Sequence, residues 1–171
     1  MEERIRQIAQ DAAGTIWFAT AGQGLWSLQD GQLRRYGRSA GLECEYLTCL
    51  HVDADQTLWI GTKGGGLWRH RNGRFTVITS ANGLPGNTVV SILDDRAGFV
   101  WLSTPQGLIR VSLDQLNQCA EGHSKWVDRL QLDLSDGLKT LEFEGPNQPN
   151  SCRTPDGRLW FATGAGLAVV A

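Results

Sequence analysis

The chain reads QTLWIGT at residues 56–62 and, after a short turn, GGLW at residues 65–68. Three further copies of the first phrase occur along the sequence, and a glycine-led apolar segment follows each of them. The copies are GTIWFAT at residues 14–20, GFVWLST at residues 98–104 and GRLWFAT at residues 157–163. Four aligned copies of this length indicate that the chain is built from a repeated structural unit.

Each repeat predicts one blade of a β-propeller. Trp17, Trp59, Trp101 and Trp160 are 42, 42 and 59 residues apart, and about 42 residues punctuated by turn residues accommodate four short strands. The strand around Trp59 is apolar on both faces, which is typical of a strand covered by a neighbouring sheet on each side. We therefore predict an all-β fold, a β-propeller with four blade-like repeats. They lie at about residues 4–42, 43–84, 85–138 and 139–171.

Two departures from the repeat carry information. An aspartate lies six residues before the first three repeated tryptophans, but Thr154 occupies this position in the fourth repeat. The aspartate is expected to accept backbone hydrogen bonds in a tight turn. The third repeat is longer because of an insertion at about residues 112–128. Ser112 is expected to cap a short helix there, after which the chain returns to a strand.

Composition and charge argue against several classes of protein. The 171 residues carry 16 Lys and Arg against 18 Asp and Glu, so the excess of cations that marks a nucleic-acid-binding protein is missing. No apolar run is long enough to span a membrane, and the N-terminus carries no signal-peptide core.

The cysteines show no metal-binding spacing, and we expect buried free thiols, although an exported chain could pair some of them. They are Cys44, Cys49, Cys119 and Cys152.

The segment from Leu47 to Trp68 resembles the two-component regulator propeller, a sensor repeat of bacterial hybrid histidine kinases and related receptors. Residues 136–170 are similar to the final repeat of that family. The resemblance implies that the chain contains the C-terminal four repeats of a receptor located in the periplasm or elsewhere outside the cytoplasm. The family's immunoglobulin-like domain, membrane helix and signalling module have no counterpart in this sequence, so it is expected to be a fragment.

The number of blades leaves two arrangements open. Four blades could close on themselves, or two chains could pair into a larger ring through the apolar faces of the end blades. We expect self-association through these open ends.

Ligands of a propeller are expected at one mouth of its central channel, on the loops that lead into the innermost strands. Residues 43–46, 85–88 and 139–142 form these loops. They place variable polar residues at equivalent positions, as a recognition surface requires, although Asn87 and Glu142 could instead stabilise the turns. Trp126 lies outside the repeat and is expected to be exposed. The predicted ligand-binding residues are Glu45, Tyr46, Asn87, Thr88, Glu142 and Trp126.

The sequence therefore predicts a non-catalytic sensor module that binds a partner or an unknown small-molecule or carbohydrate-like ligand. We expect no cofactor, no metal and no catalytic residue. Two alternatives remain open. One is an assembly module that has no small-molecule ligand, and the other is an enzyme similar to virginiamycin B lyase, which is also a propeller.

Overall fold

The computed structural model describes residues 4–143, 145 and 148–170, which form four antiparallel sheets in chain order. Blade 1 contains β1 (Ile5–Gln10), β2 (Ile16–Thr20), β3 (Leu25–Gln29) and β4 (Gln32–Tyr36). Blade 2 contains β5 (Leu47–Val52), β6 (Leu58–Thr62), β7 (Leu67–Arg71) and β8 (Arg74–Ile78). Blade 3 contains β9 (Ser91–Asp94), β10 (Phe99–Thr104), β11 (Gly107–Ser112), helix α1 (Leu113–Ala120) and β12 (Arg129–Leu132). Blade 4 contains β13 (Ser151–Arg153), β14 (Leu159–Thr163) and β15 (Gly166–Val170).

The hydrophobic core lies between the blades. Every residue of β6 is buried because its two faces pack on different neighbours. Ile60 belongs to the cluster shared with blade 1, which includes Trp17, whereas Trp59 belongs to the cluster shared with blade 3, which includes Leu102. Full burial of each such side chain contributes about 1.5–3 kcal/mol to folding. The predicted β-propeller is therefore confirmed.

The turn before each tryptophan strand is a hydrogen-bonded unit. In blade 2, Asp53 Oδ1 accepts the backbone N–H groups of Asp55 and Thr57, both at 2.9 Å, as the sequence predicts for this aspartate. Asp53 Oδ2 also accepts the indole N–H of Trp59 at 2.8 Å. This third bond, which the sequence pattern did not predict, fixes the tryptophan ring against the turn.

The other blades vary this unit. Asp11 binds Trp17 at 2.9 Å in the same way. In blade 4, Thr154 replaces the aspartate, and its hydroxyl accepts the indole N–H of Trp160 at 3.2 Å. The repeat therefore tolerates an uncharged acceptor at this position.

Each connection between blades contains a 3-10 turn that the sequence analysis missed. The three turns end at Gly41, Gly83 and Gly137, whose φ angles of 91°, 102° and 98° lie in the left-handed region that favours glycine. A Cβ atom on residue 83 would also lie only 2.5 Å from the Val127 carbonyl oxygen, so a side chain at this position would clash with the backbone. The glycines that close the repeats in sequence are thus fixed by backbone geometry. The turns are Arg38–Ala40, Ser80–Asn82 and Leu134–Asp136.

The insertion of blade 3 packs on the outer edge of blade 2. Ser112 caps α1, as predicted, by accepting the backbone N–H of Gln115. Leu116 of α1 and Val127 are fully buried, and the Val127 N–H donates to the Asn82 carbonyl at 2.8 Å. No helix in the described part of the chain is long and apolar enough to cross a membrane.

The outward faces of the first and last blades carry exposed apolar side chains. Ile8 and Leu33 of blade 1 are 57% and 48% exposed, and Leu167 and Val169 of blade 4 are 66% and 46% exposed. Blades 1 and 4 therefore do not cover each other, and the four blades form an open arc within the described residues.

Candidate functional site

The loops that lead into the inner strands are fixed to the hairpins between the second and third strands. The Tyr46 carbonyl accepts the backbone N–H of Lys63 at 3.1 Å, and the Glu45 carbonyl accepts those of Gly22 and Gly24. In the next blade, the Asn87 carbonyl accepts from Gly66 at 2.8 Å. These backbone bonds hold the loops at one end of the central channel.

A cavity of about 300 Å³ lies at this mouth of the channel. The residues that line it come from all four repeats. Most belong to the beginning of an inner strand or to the segment before it, and Lys63 belongs to the turn between β6 and β7. They are Arg6, Tyr46, Thr48, Lys63, Thr88, Val90 and Gly145. Cavities of this size at the junction of several elements are typical of small-molecule sites.

Tyr46 is the centre of the polar groups in this cavity. Its hydroxyl oxygen accepts a hydrogen bond from Arg6 Nη2 at 2.7 Å. The guanidinium carbon of Arg6 and Nζ of Lys63 lie 5.6 and 5.5 Å from the centre of the Tyr46 ring, within cation–π range. Thr88 Oγ1 accepts the backbone N–H of Gly64 at 3.0 Å, so its own hydrogen can be donated. The cavity therefore presents hydroxyl groups beside two cations.

Two of the predicted binding residues, Tyr46 and Thr88, lie together in this cavity. Glu45 and Asn87 face other partners. The Glu45 carboxylate forms a salt bridge with Arg35 at 3.1 Å, and Asn87 Oδ1 accepts the backbone N–H of Ser80 at 2.8 Å. The Asn87 contact stabilises the loop after blade 2, as in the alternative interpretation of this residue.

The remaining predicted residues lie apart from the cavity. Glu142 is exposed beside the β14–β15 hairpin, where its carbonyl accepts the backbone N–H of Gly164 at 2.8 Å. Trp126 is 55% exposed, as expected, and lies against Gly83 on the outer rim. These two side chains are therefore not brought together with Tyr46.

Sequence reasoning missed Arg6 and Lys63. Arg6 lies on the innermost strand of blade 1, which the sequence analysis did not consider as a source of ligand-binding residues. Lys63 occupies the turn position held by Ala21, Pro105 and Gly164 in the other repeats. A comparison of turn residues across the repeats would have singled out Lys63 as a cation that the turn does not require.

A second cavity, of about 620 Å³, lies where the inner strands end, and its lining includes His51, Asp53, Asp94, Arg96 and Arg153. His51 Nε2 is 3.9 Å from Asp94 Oδ2. Burial lowers the pKa of His51 below its ordinary value of 6.5, although the carboxylates of Asp94 and Asp53 partly oppose this shift. The lowered pKa corresponds to a largely neutral imidazole at pH 7.

The described residues contain no group of three or more His, Cys, Asp and Glu side chains placed to hold a metal ion. The four cysteines are free thiols, but their environments differ. Cys49 is buried, and burial raises the pKa of its thiol to about 12. Cys44 and Cys119 are half-buried and Cys152 is exposed, so the expectation that the thiols are buried holds only for Cys49.

Four consecutive antiparallel blades around a channel define the chain as a β-propeller. The profile of the two-component regulator propeller matches residues 1–22, 41–64 and 83–106, which include the first two strands of blades 1, 2 and 3. Three segments of the chain thus match the two-component regulator propeller repeat, and the resemblance inferred from the sequence is confirmed.

Solved structures share this fold. The extracellular domain of a putative hybrid two-component system of B. thetaiotaomicron matches with a TM-score of 0.77 and 23% identity, over 97% of this chain and 21% of that chain. A second such domain from the same organism matches with a TM-score of 0.76 and 20% identity, over 99% of this chain and 24% of that chain. This chain therefore spans about a fifth to a quarter of those domains.

Virginiamycin B lyase of Staphylococcus aureus also matches, with a TM-score of 0.61 and 14% identity, over 98% of this chain and 55% of that chain. At these identities each similarity shows the fold alone, and one propeller fold serves unrelated functions. The two-component domains score higher than the lyase. No curated protein sequence matches the chain.

Proposed function

We propose that this chain is a non-catalytic recognition module that binds a small polar ligand at the channel mouth and acts outside the cytoplasm as part of a sensor. The observation that carries the proposal is the convergence of side chains from different blades on one cavity. Arg6 comes from blade 1, Tyr46 and Lys63 from blade 2, and Thr88 from blade 3. A ligand held by all of them would favour one relative position of the blades.

The chemistry of the cavity supports a hydroxyl-rich ligand, such as a saccharide. The Tyr46 ring offers an apolar surface, and Thr88 offers a hydroxyl that can donate. The ammonium group of Lys63 is exposed and forms no salt bridge with a described residue, so it can bind a ligand hydroxyl or carboxylate.

Coupling to a signal follows from population shift. A ligand that binds one arrangement of the blades more tightly than another shifts the equilibrium by the difference in binding free energy. The similarity to extracellular domains of two-component systems supports this role.

The test is a titration of the ¹⁵N-labelled chain with maltose, a neutral disaccharide, and with digalacturonate, an acidic one. The amide signals of Lys63 and Gly64 report on the mouth because they donate to the Tyr46 carbonyl and the Thr88 hydroxyl. We expect at least one saccharide to shift both signals. Tyr46→Ala should weaken that binding about tenfold or more, which corresponds to about 1.4 kcal/mol.

Two further variants sharpen the result. Tyr46→Phe keeps the ring and removes the hydroxyl, so it should weaken binding less than Tyr46→Ala. Trp126→Ala removes an exposed aromatic outside the cavity and should leave binding unchanged. The proposal is wrong if neither saccharide moves the two amide signals, or if Trp126→Ala weakens binding as much as Tyr46→Ala.

A second candidate function is assembly, and the exposed apolar side chains of the end blades favour it. The β14–β15 face with Leu167 and Val169 corresponds in the repeat to the face of blade 1 that packs on blade 2. It could therefore pack on the outward face of blade 1 in a second copy. Light scattering should then give a mass of about twice 18.8 kDa, and Leu167→Asp should reduce it to that of one chain. A wild-type mass of 18.8 kDa at every concentration would exclude assembly by this face.

A further inference from the structure

The outer hairpin of blade 2 presents three arginines on one face. In the β7–β8 ladder, Arg71 lies directly opposite Arg74, and Arg69 lies opposite Thr76. Opposite residues share a face of the sheet, as do residues two apart along a strand. Arg69, Arg71 and Arg74 therefore lie on one face of the hairpin.

The end of helix α1 turns this face into a cleft. The cleft has a volume of about 560 Å³, and Glu121, directly after α1, forms part of its wall. The insertion of blade 3 supplies this wall, so the cleft is not a general feature of the repeat. The other residues that line it include the three arginines, Asn72 and Thr76.

The cleft contains more positive than negative charge. Arg69 Nη2 donates to Glu121 Oε1 at 2.7 Å, and the Arg69 side chain is only 6% exposed. Glu121 is the carboxylate among the lining residues, and no salt bridge to a described residue engages Arg71 or Arg74. Among the described residues, the guanidinium charges of Arg71 and Arg74 therefore have no counter-charge.

Buried polar atoms in the same place also lack partners. Arg69 Nε and Thr76 Oγ1 are both inaccessible to solvent and have no hydrogen-bond partner among the described residues. A buried donor that is left unsatisfied costs about 1–3 kcal/mol, and more when it is charged. The arrangement is thus unfavourable for folding alone.

Blade 1 shows that the hairpin does not need these arginines. Its β3–β4 hairpin has Gln29 opposite Gln32 at the positions of Arg71 and Arg74, and Ser27 at the position of Arg69. The turns have almost the same backbone, with φ angles of 50° and 75° at residues 30–31 and of 52° and 75° at residues 72–73. The arginines of blade 2 therefore require an explanation other than the turn.

We infer that the cleft between the β7–β8 hairpin and α1 binds a tetrahedral oxyanion, the phosphate or sulfate group of a ligand. The guanidinium group binds such oxygens with two parallel N–H donors, and Arg71 and Arg74 can approach one anion from two sides. The site is on the outer rim of blade 2 and does not depend on the ligand proposed for the channel mouth.

The test is a titration of the full chain with sodium phosphate, sodium sulfate and sodium chloride at equal ionic strength, followed by the amide signals of Asn72 and Gly73. We expect phosphate, sulfate or both to give a saturable shift, and the difference between their affinities identifies the preferred group. Chloride should give no saturable shift. The Arg71→Ala/Arg74→Ala double variant should weaken binding at least tenfold.

Two single variants separate a site from general charge attraction. Arg38→Ala removes an exposed arginine from the Arg38–Ala40 turn and should leave the affinity unchanged. Glu121→Gln removes the carboxylate that competes with the oxyanion for Arg69 and repels it. The affinity should therefore increase roughly threefold or more, since charges a few ångströms apart interact strongly. Circular dichroism establishes that each variant is folded.

The inference is overturned if chloride shifts the signals as strongly as phosphate and sulfate, or if the double variant binds with unchanged affinity. Because Arg69 could be left unpaired in Glu121→Gln, the thermal midpoint of this variant is measured with and without the oxyanion. We expect the oxyanion to raise that midpoint more than it raises the midpoint of the unsubstituted chain. An equal or smaller rise also contradicts the inference.

Discussion

Replacing Asp53 by alanine tests whether the turn before the tryptophan strand stabilises the blade. The carboxylate of Asp53 accepts three hydrogen bonds, from the backbone N–H groups of Asp55 and Thr57 and from the Trp59 indole. Asp53 itself is 5% exposed, Thr57 is fully buried and Trp59 is 1% exposed. Alanine would remove all three acceptors at once.

The expected loss follows from which donors can reach water. Asp55 is exposed, so its N–H can be hydrated, whereas the donors of Thr57 and Trp59 remain buried. Each unsatisfied buried donor costs about 1–3 kcal/mol, and relief of the buried carboxylate offsets part of the loss. We expect Asp53→Ala to lower the free energy of unfolding by about 2–5 kcal/mol, a large fraction of the roughly 5–15 kcal/mol of a typical domain.

Urea unfolding followed by tryptophan fluorescence measures this loss, and thermal unfolding should give a midpoint lower by roughly 10 °C for a chain of this size. Asp53→Thr should retain part of the stability, because Thr154 accepts the Trp160 indole in blade 4. Asp55→Ala is the matched control and should change stability by less than about 0.5 kcal/mol. If Asp53→Ala costs no more than Asp55→Ala, the reasoning is refuted.

Two further predictions concern titratable groups. Cys49 should resist iodoacetamide in the folded chain because burial raises the pKa of its thiol to about 12, whereas the exposed Cys152 should react readily. Mass spectrometry of the chain labelled with and without guanidinium measures the extent of reaction at each cysteine. Equal labelling of Cys49 and Cys152 in the folded chain would contradict the prediction. His70 packs 4.6 Å from the Phe75 ring and 5.2 Å from the Trp17 ring, and burial lowers its pKa below 6.5. The unfolded chain therefore takes up the proton first, so stability should fall as the pH drops below about 6.5. His70→Phe should flatten this dependence in urea unfolding at pH 7 and pH 5, and an unchanged slope would count against the assignment.

Most of the fold could be predicted because the same sequence pattern occurs four times along the chain. The phrase around Trp59 recurs with its apolar neighbours, so the strand order and the burial of both faces follow from one unit. The 3-10 turns after each blade were missed because three residues give no periodic signal. Gly41, Gly83 and Gly137 lie near the predicted ends of the repeats, but the repeat pattern does not predict their left-handed backbone conformation.

The candidate site was less predictable. The loops were placed at one mouth of the channel, and Tyr46 and Thr88 do share a cavity. Glu45 and Asn87 occupy equivalent loop positions, yet Arg35 and the Ser80 amide engage their side chains. Equivalence in the repeat fixes the backbone position of a residue, but the side chain responds to neighbours from other strands.

The sequence by itself determined the class of fold, the turn aspartates and the place of the insertion, because all of these depend on residues close together in the chain. Only the tertiary structure decided that Arg6 reaches Tyr46, and that Glu121 of the insertion faces Arg69, 52 residues away in the sequence. Such contacts depend on the angle at which blades and helix pack. That angle results from many interatomic contacts together, and no local pattern in the sequence encodes it.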